Sequence, residues 1–182
     1  MLLEYTINKN DYLNLQLYYI SIDEAFNKRR KHERFRLSGF MLLFGLVSLM
    51  DNQLHHYSFI LIPAAILFFF IYPWWSAWFY RRIYKRQMPE DIKKDFPYSI
   101  KLSLDEEVIT YDSTIGKDSY QAKDISKIIE INEYFYLVIP QIIWIIIPKS
   151  EIPDIKMVQT QFESYESAYS IPFERNENWK WK

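Results

Sequence analysis

From Tyr57 to Tyr80 the chain carries no charged residue. About 24 residues at a helical rise of roughly 1.5 Å cover about 36 Å, enough to cross a bilayer core of about 30 Å. Few folds accommodate such a run, because a soluble helix needs a polar face and the stretch from Phe59 to Phe70 has none. A second apolar run, Leu37 to Met50, precedes it across the polar turn Asp51 to His56. At about 14 residues it is short for a full crossing and is expected to extend from Phe35 to Leu54, with Arg36 snorkelling to one headgroup layer. The two runs predict a transmembrane hairpin at residues 37–80, with spans at about 35–54 and 58–80.

The flanks set the orientation. Lys28, Arg29, Arg30, Lys31, Arg34 and Arg36 precede the hairpin, Arg81, Arg82, Lys85 and Arg86 follow it, and the connecting turn has neither lysine nor arginine. Positive charge stays on the cytoplasmic side, so both ends of the hairpin are expected there. Trp74, Trp75 and Trp78 stand directly before the second basic cluster, as aromatic residues do at a headgroup boundary. Arg34, Arg36, Trp74, Trp75, Trp78, Arg81 and Arg82 are therefore the expected membrane-interface residues. Pro63 is expected within about the first turn of its helix, and Pro73 to kink it.

Of 182 residues, those outside the hairpin leave room for one further small domain. Residues 87–182 hold 11 Lys or Arg against 17 Asp or Glu, which argues against a nucleic-acid partner. The chain has no cysteine, which excludes disulfides, thiolate zinc sites and cysteine nucleophiles. Glu4, Lys9 and Asp11 stand where a cleavable signal needs an apolar core, so the hairpin itself is expected to direct insertion.

Residues 1–36 read as an N-terminal strand, Leu3 to Ile7, and an amphipathic juxtamembrane helix starting after Asn10. Tyr12, Leu15, Tyr19, Ile22 and Phe26 mark its apolar face, and it either lies along the membrane or packs on the soluble domain. Residues 81–97 form a basic flank and linker, with Pro89 at a possible helix start. From there the hydrophobic period becomes two. Strands are predicted at residues 100–104, 108–111, 119–122, 128–131, 134–139 and 142–147, followed by a helix carrying Ile155, Val158, Phe162, Tyr165 and Tyr169. This order gives an α+β membrane protein: the hairpin plus a small antiparallel, pleckstrin-homology-like sheet or partial barrel at residues 98–170, closed by a C-terminal helix. Its open edge is expected to accept the N-terminal strand, and residues 171–182 to form a polar tail with a disordered end from Asn176 to Lys182.

The segments KLSLDEEVITY (Lys101 to Tyr111), DISKIIEINEYFYLVI (Asp124 to Ile139) and IIIPKS (Ile145 to Ser150) resemble the C-terminal domain of YcxB-like bacterial membrane proteins. The basic stretch, paired apolar runs and N-terminal strand and helix are similar to that family too. The family pattern tends to place a tryptophan where this chain has Lys123. The resemblance implies a multi-pass protein of the bacterial cytoplasmic (inner) membrane, with no catalytic residues to carry over.

Few clusters suggest chemistry. His55 and His56 with Asp51 read as solvated loop residues in preference to metal ligands, and Asp105, Glu106 and Glu107 as a solvated turn in preference to acid–base carboxylates. Glycine occurs only at 39, 45 and 116, too sparsely for a phosphate-cradling loop, so no nucleotide or other cofactor is expected. Ser38, Gly45 and Ser48 share one side of the first span, where Ala64 or Ala65 of the second can approach closely. The expected function is non-enzymatic: a membrane-anchored cytoplasmic domain that binds or senses a protein partner. The alternative is an immunity protein whose spans neutralise a pore-forming toxin.

Overall fold

The computed structural model describes residues 1–51, 53–88, 90, 94, 96–114, 116–140 and 143–182. The predicted helix start at Pro89, residues 91–93 and 95 of the predicted linker, and residue 142 at the start of the last predicted strand lie outside them. Among the described residues the chain is a mixed α+β protein with four α-helices and eight strands in two sheets. It divides into two units, Met1–Leu15 with Met88–Lys180 and Gln16–Gln87 with Trp181–Lys182.

The first unit contains both sheets. One has the order β1 (Leu2–Ile7), β2 (Tyr98–Leu104), β3 (Val108–Ser113), β4 (Lys117–Gln121), antiparallel throughout. The N-terminal strand takes the edge expected of it, with Leu3 opposite Leu102 and Tyr5 opposite Ile100. Alternation explains why: Leu3, Tyr5 and Ile7 turn inward while Glu4 pairs outside with Lys101 at 2.9 Å. The other sheet has the order β7 (Ile143–Pro148), β6 (Tyr134–Ile139), β5 (Lys127–Ile131), β8 (Phe173–Asn176).

This is a correction to the single curved sheet or partial barrel expected from the strand order. The break falls at the corner after β4, where the chain turns through Ala122–Asp124 and the next strand pairs with β6 and not with β4. β8 is a second departure, because residues 171–182 read as a polar tail. Its four residues show no inward and outward alternation and gain their place by parallel pairing with β5.

β5 and β6 are buried on both faces, which is why their sequence is almost continuously apolar. The helix α4 (Ile155–Tyr169) packs on one of these faces through Val158, Phe162 and Tyr165, with the Phe162 ring edge-on to Phe135 at 5.3 Å. Its bounds match the three-and-four spacing of its apolar residues, and Asp154 caps it by accepting from the Met157 amide at 3.1 Å. The other face carries Tyr134, whose hydroxyl donates to the buried Asp11 carboxylate at 2.8 Å and accepts from Asn14 at 2.9 Å. Asp11 and Asn14 lie on α1 (Lys9–Ser21), whose cap is Asn8 and not the expected Asn10.

The second unit is dominated by α2 (Glu24–Ser48) and α3 (His55–Gln87). The single amphipathic helix expected from Asp11 into the basic stretch is broken at residues 22–23, where Asp23 caps a new helix through the amides of Ala25 and Phe26. The capped helix then continues unbroken into the first apolar run. It stops at Ser48, short of the expected Leu54. Pro63 lies inside α3, more than two turns from its start, because the helix begins already at His55.

Contacts of Arg30 with Ser76, Glu33 with Tyr72 and Gly45 with Ile62 show α2 and α3 running antiparallel. The pair is inverted relative to a soluble core. Ser38, Gly45 and Ser48 of α2 and Ser58, Ala65 and Ser76 of α3 are buried, while Phe40, Phe44, Phe59, Phe70 and Trp74 face outward, Phe59 at 74% and Trp74 at 83% exposure. Among the described residues, α3 alone has the length and apolar composition of a membrane crossing.

Gly45 is the closest point of the pair. A Cβ there would lie 2.8 Å from Ile62 Cγ1 and 3.3 Å from the Ile62 amide nitrogen, whereas one at Gly39 meets nothing within 4 Å. Gly45→Ala is therefore expected to destabilise the helix pair by about 1–3 kcal/mol. Gly39→Ala should be neutral or stabilising by up to about 1 kcal/mol, through helix propensity. Denaturant titration of helicity in detergent distinguishes them, and equal effects would contradict the packing.

Candidate functional site

The most elaborate polar arrangement in the helical unit lies where the basic stretch of α2 faces the part of α3 around Pro73. A proline inside a helix leaves the carbonyl four residues earlier without its amide partner. For Pro73 that carbonyl belongs to Phe69, and the Arg34 Nε donates to it at 2.9 Å. The same guanidinium lies 3.8 Å from the centre of the Phe69 ring. One turn away, Arg30 donates to the Ser76 hydroxyl at 2.8 Å, and that hydroxyl donates to the Pro73 carbonyl at 3.0 Å. Arg30 also reaches the Lys182 backbone oxygen at 2.8 Å and lies against the rings of Phe26, Tyr80 and Trp181. The Trp181 indole in turn donates to the Ala77 carbonyl at 2.8 Å, so a residue assigned to the tail is part of this collar.

A cleft of about 210 Å³ opens here, lined by Asn27, Arg30, Lys31 and Arg34 on α2 and by Tyr72, Pro73 and Ser76 on α3. The nearby acid, Glu33, is turned toward Arg29 at 3.2 Å and accepts from the Tyr72 hydroxyl at 3.2 Å. Among the described residues no Asp or Glu side chain pairs with Arg30, Lys31 or Arg34. Burial holds the Arg30 guanidinium below its ordinary pKa, against the opposing pull of Tyr72 and Tyr80.

The expected interface residues separate into two groups. Arg34 is drawn between the helices, while Arg36 and Arg81 remain exposed. Trp74 points outward, Trp75 stacks on Phe79 with centroids 5.1 Å apart, and Trp78 lies under the Arg82 guanidinium at 5.3 Å. Arg30, in the sequence one of a run of positive charges, reaches Ser76, Lys182 and three aromatic rings; its spacing of four from Arg34 was the available signal.

Two further places in the sheet unit have chemistry-bearing groups. Glu130 of β5 is fully buried, and its Oε1 meets Lys149 Nζ at 2.7 Å and Gln159 Nε2 at 2.7 Å. Its Oε2 lies 3.7 Å from Arg175, too far for a hydrogen bond. Sequence reasoning passed over it, although a lone acid in the run Ile128 to Ile131 was a readable sign of an inward charge. The acidic turn after β2 is solvent-facing, yet its backbone is held: Tyr165 donates to the Asp105 carbonyl and Tyr169 to that of Glu106 at 3.0 Å. Burial, ahead of any neighbour, pushes the Tyr165 hydroxyl up to about 12, so it remains a donor. Beside this turn a cleft of about 280 Å³ is lined by Glu107, Val108, Gln121, Lys123 and Tyr169. His55 and His56 are exposed, with rings 6.0 Å apart, and no group of three His, Asp or Glu side chains converges among the described residues.

These features define an α+β protein with two antiparallel-rich sheets and a long helix pair, one member of which has the dimensions of a membrane span. No family model, no curated protein and no solved structure matches the chain.

Proposed function

We propose that the chain is a two-span protein of the bacterial cytoplasmic membrane, similar to the YcxB-like family, whose sheet unit is a non-catalytic module that binds a protein partner in the cytoplasm. The observation that carries the membrane reading is the inverted helix pair, with serines and glycine inside and phenylalanines and tryptophans outside. In water such a surface would be costly, at roughly 25 cal/mol for each Å² of apolar area, whereas in lipid it is the expected one. The short first run fits because α2 extends it on the basic side, where the Arg34 Nε is held by the Phe69 carbonyl of the other helix.

The binding reading is supported by how the polar groups of the sheet unit are employed. Glu130 is held by Lys149 and Gln159, Asp11 by Tyr134, and the carbonyls of Asp105 and Glu106 by the tyrosines of α4, so each has a structural task. The cleft at Val108 and Lys123 adjoins β4, the edge of its sheet, where a partner segment finds both apolar contact and free backbone groups.

The absence of cysteine makes topology directly testable. In cells producing Gln53→Cys, a membrane-impermeant maleimide should label the protein from outside, whereas Ser113→Cys should label only after lysis. The wild-type chain should stay in the pellet after an alkaline wash. The reverse labelling pattern would overturn the orientation, and a chain that stays in the supernatant without detergent would overturn the anchor.

A further inference from the structure

We propose that the collar between α2 and α3 is a binding site for one anionic phospholipid, with its headgroup phosphate among Arg30, Lys31 and Arg34 and an acyl chain in the groove beyond them. The inference rests on the membrane reading above and goes further than it, naming a ligand class and a site.

Three observations converge on it. The cleft at Arg30, Lys31 and Arg34 presents three cations with no carboxylate side chain paired to any of them among the described residues. Arg30 is part-buried, where it meets the Ser76 hydroxyl, the Lys182 main-chain oxygen and three aromatic rings. Arg34, half-buried against a backbone carbonyl and an aromatic ring, has no acidic side chain paired to it among the described residues, so the cleft gains from an anion. Arg34 is fixed by its Nε on the Phe69 carbonyl, which leaves the terminal nitrogens of its fork for a phosphate oxygen, and the Asn27 and Ser76 side chains line the same cleft.

The groove decides the class of anion. An apolar cavity of about 270 Å³ lies next along the helix pair, lined by Phe35, Ser38, Gly39 and Leu42 on one helix and by Ala65, Ile66 and Phe69 on the other, about one turn from the cleft residues Arg34 and Tyr72. Asn27, Lys31, Arg34, Ser38 and Leu42 follow one another along α2 at steps of three and four, so cleft and groove share one side of the pair. A free phosphate would use only the first half. A phosphodiester with an attached acyl chain fills both, charge at the headgroup level and methylenes below it.

The test uses the full-length chain purified in neutral detergent and offered equal amounts of phosphatidylglycerol and phosphatidylcholine with the same acyl chains, bound lipid being read by native mass spectrometry. Phosphatidylglycerol should be retained at least about tenfold over phosphatidylcholine, and Lys31→Gln should lower its retention about fivefold. Gly39→Phe fills the groove at a position open to added atoms, leaves the three cations in place, and should abolish the retention. Equal retention of the two lipids would overturn the proposal, as would full retention in Gly39→Phe. Displacement by glycerol 3-phosphate or inorganic phosphate at lipid-like concentration would overturn it in favour of a phosphate site, and a crosslinked dimer through Gly39→Cys would assign the groove to a second copy. A chain that pellets with membranes but shows no lipid preference refutes the site alone; one that does not pellet refutes the anchor and the site together.

Discussion

Replacing Lys149 with methionine is expected to destabilise the sheet unit by about 3–5 kcal/mol, because it leaves a fully buried carboxylate without its closest counter-charge. The Glu130 side chain has no solvent exposure, and the remaining cation, Arg175, stands 3.7 Å away while held at 2.6 Å by Glu163. Gln159 still donates to Oε1, but one neutral hydrogen bond does not offset the desolvation of an ion. Lys149 also lies 4.7 Å over the Phe135 ring, a contact that the methionine side chain largely retains, so the loss isolates the charge. Adding Glu130→Gln should restore much of the stability, since it removes the orphaned charge and keeps an amide acceptor for Gln159. Hydrogen exchange of the β5 and β6 amides in the full chain reads both effects, because these central strands open only with the unit as a whole. A Lys149→Met chain with unchanged protection would mean that Glu130 is not buried as an ion.

The second large effect is expected at the helix that covers the same strands. Phe162→Ala should cost about 3–5 kcal/mol, the range for a fully buried aromatic whose cavity cannot collapse. Collapse is opposed on both sides: Phe135 meets the Phe162 ring edge-on at 5.3 Å, and Phe173 meets it at 6.0 Å. Phe173 begins β8, so the loss should extend to that strand and lower the protection of its amides more than those of β1. Met157→Ala, on the same helix but 56% exposed, supplies the control and should stay within about 0.5 kcal/mol. Comparable losses from the two substitutions would contradict the packing face of α4.

Much of the local structure was written in periodicity. The Tyr134 to Ile139 strand and the helix from Ile155 to Tyr169 have the bounds their spacing indicates, and the small residues Ser38, Gly45 and Ser48 lie on the side of α2 that meets α3. The candidate site was legible only in part. The basic run was plain, yet nothing local told Arg34, which caps the carbonyl freed by Pro73, from Arg36, which stays in the open. That difference comes from the rotation of one helix against another across 35 residues of chain.

By itself the sequence determined the properties that depend on near neighbours: an uncharged stretch of membrane length, a basic flank at each end of the paired apolar runs, alternating strands, and an N-terminal strand with a face to bury. Tertiary structure alone decided that the strands divide into two sheets, that Phe173–Asn176 joins the second of them in parallel with β5, and that Glu130 meets Lys149, Gln159 and Arg175. The reason is physical. Side-chain period and charge act within a turn or a strand, whereas sheet membership and buried ion pairs depend on free-energy differences between long-range pairings that leave the local pattern unchanged.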